Sequence, residues 1–144
     1  METTGKPTSS PRAVIDRLVK ATNDHDLDAL VGCFSPDYVN ETPAHPERGF
    51  TGREQVRRNW TQIFTAVPDL VAEVVGRTQD GSTVWTEWQI SGRRRDGTTH
   101  LMRGVMIFTV ADDRIAAVRF YLEPVETSSG NIDAAVASQF ASPS

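Results

Sequence analysis

The apolar residues of this chain change their period once, near residue 69, and that change restricts the fold more than any other feature. Upstream they recur at three- and four-residue steps, as on one face of a helix. Downstream they alternate, as on a half-buried strand. Ser10-Pro11 offers a helix cap and a first helical position, followed on one face by Val14, Ile15, Leu18, Val19 and Thr22, so a first helix is predicted to about Asn23. Asp26 caps a second, whose face is Leu27, Leu30, Val31 and Phe34 and whose end is Ser35-Pro36, since proline excludes helix from the residue before it. An extended stretch over 38–42 and an irregular loop over 43–50 come next. Thr51-Gly52-Arg53-Glu54 then has the pattern of a capping box, opening a third helix with Val56, Trp60, Ile63 and Val67 inward and Pro68 as its stop.

After the change of period, residues 70–78, 83–92, 100–110 and 114–125 read as four strands. Their links are short, which favours antiparallel neighbours, because a parallel crossover needs a dozen residues or more. Three helices followed by a mostly antiparallel sheet is an α+β arrangement, with the helices covering one face of the sheet. Alternation identifies that face. One parity holds Val84, Thr86, Trp88, Ile90, His100, Met102, Met106, Phe108, Val118, Phe120 and Leu122; the other mixes Glu87, Gln89, Arg103, Arg119 and Glu123 with Trp85, Val105, Ile107 and Tyr121. The first set is expected inside. The second is too apolar for free solvent, so a homodimer through the outer sheet face is expected, with cover by the C-terminal tail as the other possibility. If the parity is inverted, Glu87 and Glu123 become the natural acid/base pair.

A chain of 144 residues corresponds to one domain. The expected division is a flexible tail over 1–9, a domain over 10–126, and a tail over 127–144 with a short docking helix around Ile132, Ala135, Val136 and Phe140. Fifteen Lys and Arg against 19 Asp and Glu give a formal charge of −4, without the basic stripe of a nucleic-acid or membrane-surface binder. One cysteine, Cys33, excludes an internal disulfide framework. No apolar run reaches the ~18 residues of a membrane span, and the polar N-terminus has no signal-peptide core, so a cytoplasmic protein is expected. The histidines at 25, 45 and 100 lack metal-ligand spacing, and there is no phosphate loop or dinucleotide fingerprint; no metal and no cofactor are expected.

The segment Tyr38-Val39-Asn40-Glu41-Thr42-Pro43, the Thr51-Gly52-Arg53-Glu54 helix start, the Trp88 strand, Arg103-Gly104-Val105 and Arg119-Phe120-Tyr121-Leu122-Glu123 occur in an order that resembles the SnoaL-like family of the nuclear transport factor 2-like superfamily, over roughly residues 11 to 125. The resemblance implies three N-terminal helices packed on a curved, mostly antiparallel sheet around a cone-shaped cavity. It leaves the activity open, because polyketide cyclases, ketosteroid isomerases, epoxide hydrolases, dehydratases and non-catalytic binding modules share this fold. Tyr38 and Asn40 match the segment with which limonene-epoxide hydrolases position a water. The Asp-Arg-Asp set those enzymes also use is replaced by Trp88, Ile90 and Phe120, which makes epoxide hydrolysis the less favoured activity. Cyclases of the SnoaL type pair a cavity carboxylate with His or Asn, and only the His and Asn have counterparts here.

His100 is the one titratable group that alternation itself places inside, and imidazole is a versatile acid/base near neutral pH. It is the expected acid/base, with Asn40 and Tyr38 donating hydrogen bonds to a substrate oxygen. His45, Trp60, Phe64, Thr86, Trp88, Met102, Met106 and Phe120 are the expected substrate contacts, and Gly104 between the two methionines is expected to leave room for the ligand. The expected function is a cofactor-independent acid/base enzyme acting on a hydrophobic small molecule by cyclisation, isomerisation or dehydration. The alternative is a non-catalytic module that holds an apolar ligand or a partner chain.

Overall fold

The computed structural model describes residues 10–127 and 130–141. The 1–9 segment, expected as a tail, lies outside them. In chain order the elements are helix α1 (Pro11–Asn23), helix α2 (Leu27–Gly32), strand β1 (Phe34–Glu41), a 3-10 turn (Pro46–Arg48), strand β2 (Phe50–Thr51), helix α3 (Arg53–Ala66), strands β3 (Val71–Asp80), β4 (Thr83–Arg93), β5 (Thr99–Ala111) and β6 (Arg114–Pro124), and helix α4 (Ile132–Gln139). The strands form one six-stranded sheet in the order β2-β1-β6-β5-β4-β3. β3 to β6 make an antiparallel meander, with Trp88 opposite Gly104 and Gly104 opposite Leu122.

The α+β architecture follows the change of period, and α1 begins as the sequence predicts, with the Ser10 hydroxyl accepting from the Ala13 amide at 3.1 Å. Two local expectations give way, the end of α2 and the capping box. Helix α2 ends at Gly32, and Phe34 belongs to β1, where it lies opposite Ile115 of β6. Pro36 is accommodated because the β1–β6 ladder is irregular between Phe34 and Val39, so no ladder bond is asked of it. β1 runs parallel to β6, which makes the sheet mixed; the meander and α3 between them supply the long connection a parallel pair requires. The capping box does not form: Thr51 pairs with Val39 in β2, and α3 starts from Gly52 at φ +94° with no side-chain cap. The Gly52 amide donates instead to the Tyr38 carbonyl at 2.6 Å.

The helices cover one sheet face. Along β4, Val84, Thr86, Trp88 and Ile90 are buried while Trp85 and Glu87 are exposed; from α1, Val14, Ile15 and Leu18 pack beneath them. Full burial of each such aliphatic side chain contributes roughly 1.5–3 kcal/mol. At the β3 edge, Asn23 clamps the strand to α1: its amide nitrogen donates to the Ala72 carbonyl at 2.9 Å, and its oxygen accepts from the Ala72 amide at 2.7 Å. His25, in the turn after α1, donates from Nε2 to the Leu70 carbonyl at 2.8 Å and stacks on Phe64 of α3 at 4.5 Å. Helix α4 lies apart from the core, with Ile132 73% and Phe140 80% exposed.

Candidate functional site

A cavity of about 280 Å³ lies between the helices and the covered sheet face. Helix α1 contributes Leu18 and Thr22. Helix α3 contributes Val56, Asn59, Trp60 and Ile63, the inward face that its 3–4 spacing defines. The central strands contribute Trp88, Ile90, Met102, Met106, Phe108, Val118, Phe120 and Leu122, and β1, the loop after it and β2 add Phe34, Tyr38, Asn40, Thr42, Arg48 and Phe50. The surface so formed is apolar and aromatic with a few convergent polar groups, the usual make-up of a small-molecule pocket.

Tyr38 and Asn40 share a side because they alternate on β1. The Thr42 hydroxyl donates to Asn40 Oδ1 at 3.1 Å, and Asn40 Nδ2 donates to the Tyr38 hydroxyl oxygen at 3.0 Å. Tyr38 is 3% exposed, its ring edge-on to Phe34 at 4.7 Å and to Phe50 at 5.9 Å. Burial pushes its phenol far above the ordinary range, against the smaller opposite effect of the Asn40 hydrogen bond, so it stays a neutral O–H. Its oxygen accepts from Asn40, while its proton has no acceptor among the described residues.

Trp60, Trp88, Met102, Met106 and Phe120 line the cavity as expected contacts would. Thr86 is buried behind the wall, donating to the Met106 carbonyl at 2.7 Å and accepting from Trp88 Nε1 at 2.6 Å. Phe64 is turned to His25. His100 opens β5 opposite Gly92, outside the cavity lining, with Arg94 Nη2 3.4 Å from its Nδ1; burial first, and then the Arg94 charge, lower its pKa. His45 also stands off the lining. Its Nε2 meets Glu123 Oε2 at 3.0 Å, fastening the loop over 42–50 to the end of β6. Glu87 is exposed on the opposite face.

Among the described residues, no carboxylate or imidazole lines the cavity, and no group of three or more His, Cys, Asp or Glu could hold a metal. Gly104, expected to make room, has another role: at φ +152°, a side chain there would run into the Tyr121 carbonyl and the Leu122 Cα, so its absence lets β6 approach. Four polar lining residues, Thr22, Thr42, Arg48 and Asn59, were not among the expected site residues. Arg48 sits in an irregular loop that carries no period, whereas Thr42 continues the alternation of Tyr38 and Asn40. Asn59 was within reach, since it stands three residues from Val56 and four from Ile63 on the inward face of α3.

Residues 15–118 match the SnoaL-like domain. The chain belongs to the SnoaL-like family. Solved structures similar to this SnoaL-like chain include a candidate polyketide cyclase, SMa1630, from Sinorhizobium meliloti, 27% identical over 77% of this chain and 94% of its own, with a TM-score of 0.60. IdmH, a candidate polyketide cyclase from Streptomyces antibioticus, is 25% identical over 80% of this chain and 93% of its own, TM-score 0.67. An LEH-like epoxide hydrolase from M. tuberculosis shares the fold at 18% identity, covering 81% of this chain and 84% of its own, TM-score 0.68. No curated protein matches the SnoaL-like chain. No helix among its described residues is long and apolar enough to cross a membrane.

Proposed function

We propose that this SnoaL-like protein binds a hydrophobic, carbonyl-bearing small molecule in the cavity and promotes a cofactor-independent ring closure of the polyketide-cyclase type. The observation that carries the reading is the Tyr38 hydroxyl: a buried O–H in an apolar cavity, without an acceptor among the described residues. A buried donor left unpaired costs about 1–3 kcal/mol, and a ligand oxygen placed there recovers it. Such a closure moves one proton, from the carbon that attacks to the carbonyl oxygen attacked. The cavity contributes orientation of a flexible chain and polarisation of that oxygen by Tyr38 and Asn40. His100 is outside the lining, so it is not the acid/base in this reading. The similar candidate polyketide cyclases of S. meliloti and S. antibioticus support the reaction class. The protein is read as cytoplasmic, and as a homodimer through the outer sheet face.

The test is quenching of Trp60 and Trp88 emission by 2-acetylnaphthalene, an apolar aryl ketone. Saturable quenching is expected, and Tyr38→Phe should weaken it about tenfold without changing the fold. Absence of quenching, or equal affinity in folded Tyr38→Phe, overturns the reading. The lack of carboxylate or imidazole in the lining favours one second reading, a binding module without turnover. It is distinguished by ligand recovered unchanged after long incubation with a synthetic polyketone.

A further inference from the structure

The polar groups facing the cavity are biased in one chemical sense. The carbonyl oxygens of its two asparagines are already taken, Asn40 Oδ1 by the Thr42 hydroxyl at 3.1 Å and Asn59 Oδ1 by Gln55 Nε2 at 2.8 Å. The Thr22 and Thr42 hydroxyl protons are also spent, on the Leu18 carbonyl and on Asn40. What remains for a ligand is chiefly hydrogen to donate: the Tyr38 O–H, the second N–H of Asn40, the Asn59 amide nitrogen and the Arg48 guanidinium. Arg48 is the only charged residue in the described lining, and among the described residues it makes no ion pair or hydrogen bond through its side chain. Glu123, at the end of β6, is held by His45 and not by Arg48, and the exposed Glu47 beside Arg48 in the chain makes no ion pair with it. Arg48 is exposed while Tyr38 is buried, so the donors run from the solvent side of the cavity to its interior.

A cavity of donors with a net positive charge complements acceptors and a negative charge. We infer that the ligand is an apolar organic acid, whose carboxylate or equivalent oxyanion pairs with Arg48 at the cavity mouth while its apolar body lies against Trp60, Trp88 and Phe120. The inference rests on the cavity being the ligand site, as proposed above, and specifies which hydrophobic molecules it takes. The planar guanidinium suits such an oxyanion because it can offer two parallel N–H bonds. Since Arg48 is exposed, the pairing contributes selectivity more than affinity, and salt screens it.

Two fluorescent probes of nearly the same apolar body separate the parts of the argument: 1-anilinonaphthalene-8-sulfonate, an anion, and N-phenyl-1-naphthylamine, its neutral counterpart. Both are titrated into the Trp85→Phe protein, in which the remaining indoles, Trp60 and Trp88, line the cavity, so that energy transfer reports occupancy of that site. The anion is expected to bind roughly two- to fivefold tighter than its neutral counterpart, in line with a pair at an exposed arginine. Arg48→Gln should remove that preference and leave the neutral probe unchanged, and 1 M salt should have the same effect. Arg12→Gln, an exposed arginine away from the cavity, should leave both probes unchanged. If folded Arg48→Gln keeps the preference for the anion while both probes still quench Trp60 and Trp88, the inference fails and the cavity reading stands. If neither probe quenches these indoles, both fail.

Discussion

The wholly buried hydroxyl of Thr86 serves two neighbours at once, the Met106 carbonyl and the Trp88 indole N–H. Thr86→Val keeps the shape and removes both bonds, leaving the Trp88 donor buried without an acceptor. The expected loss is about 1–3 kcal/mol in urea unfolding, with Thr86→Ser recovering most of it. Valine matching threonine in stability would show that the pairing is idle. His100 gives a prediction in pH. Burial and, second, Arg94 lower its pKa from the ordinary 6.5. The unfolded chain therefore takes up the proton first as pH falls, and the folded state binds fewer protons in that window. The stability tied to this group is full above about 6.5 and is lost as pH drops from there through the folded pKa. NMR titration of the imidazole should show a midpoint below 6.5, raised only partly by Arg94→Gln, because burial is the larger cause. A midpoint at or above 6.5 contradicts this. The sequence made Tyr38 and Asn40 legible because alternation on an extended segment needs no tertiary information. It misdirected the reading at His100, since alternation assigns a face and cannot say where along the strand the helices stop covering it.

At the scale of elements, periodicity located the long strands to within one or two residues, since alternation runs through most of β3 to β6 and breaks only at the register shifts by Val74 and Thr109. It failed where two patterns overlap. Phe34 continues the helical spacing of Leu27, Leu30 and Val31, yet the chain turns after Gly32 and Phe34 packs against Tyr38 from a strand. Thr51 and Glu54 have the right spacing for a capping box, but pairing of Thr51 with Val39 places it in the sheet. In both places a tertiary contact outweighed a local preference. Gly104 is a third case, a glycine whose reason lies on the neighbouring strand. Gly104→Ala would press its Cβ into the β6 backbone between Tyr121 and Leu122 while holding alanine at φ +152°. A loss of at least about 1–3 kcal/mol is expected. That corresponds to roughly 3–10 °C in melting temperature, readable by calorimetry or by loss of near-ultraviolet signal. An alanine variant with an unchanged melting temperature would mean that β6 can shift without cost.

The whole molecule presents two faces of one sheet, and only one is closed by its own helices. On the other, Trp85 lies opposite Ile107 and Ile107 opposite Arg119, while Glu87 lies opposite Val105 and Val105 opposite Tyr121, so an apolar centre crosses three strands. Trp85 is 48% exposed there, and Arg103, hydrogen-bonded to Gln89 at 3.1 Å, stands at its margin. An apolar centre with a polar margin is the anatomy of an interface, and a two-fold pairing would set the same strands against each other. The choice of substitution follows from burial in the single chain. Ile107 is only 9% exposed, so a charge there would damage the monomer itself, whereas Trp85 and the half-buried Val105 can be changed with the core intact. Trp85→Glu with Val105→Glu would bury four unpartnered carboxylates in a symmetric pair. The cost should exceed about 3 kcal/mol, more than a hundredfold in dimer affinity. Sedimentation equilibrium at micromolar concentration should give a dimer for the native chain and a monomer with unchanged circular dichroism for the double variant. A native chain that sediments as a monomer would leave the outer face uncovered by a second copy and overturn the pairing. Because the cavity opens on the opposite side of the sheet, the monomeric double variant should still bind 2-acetylnaphthalene with native affinity, which separates assembly from ligand recognition.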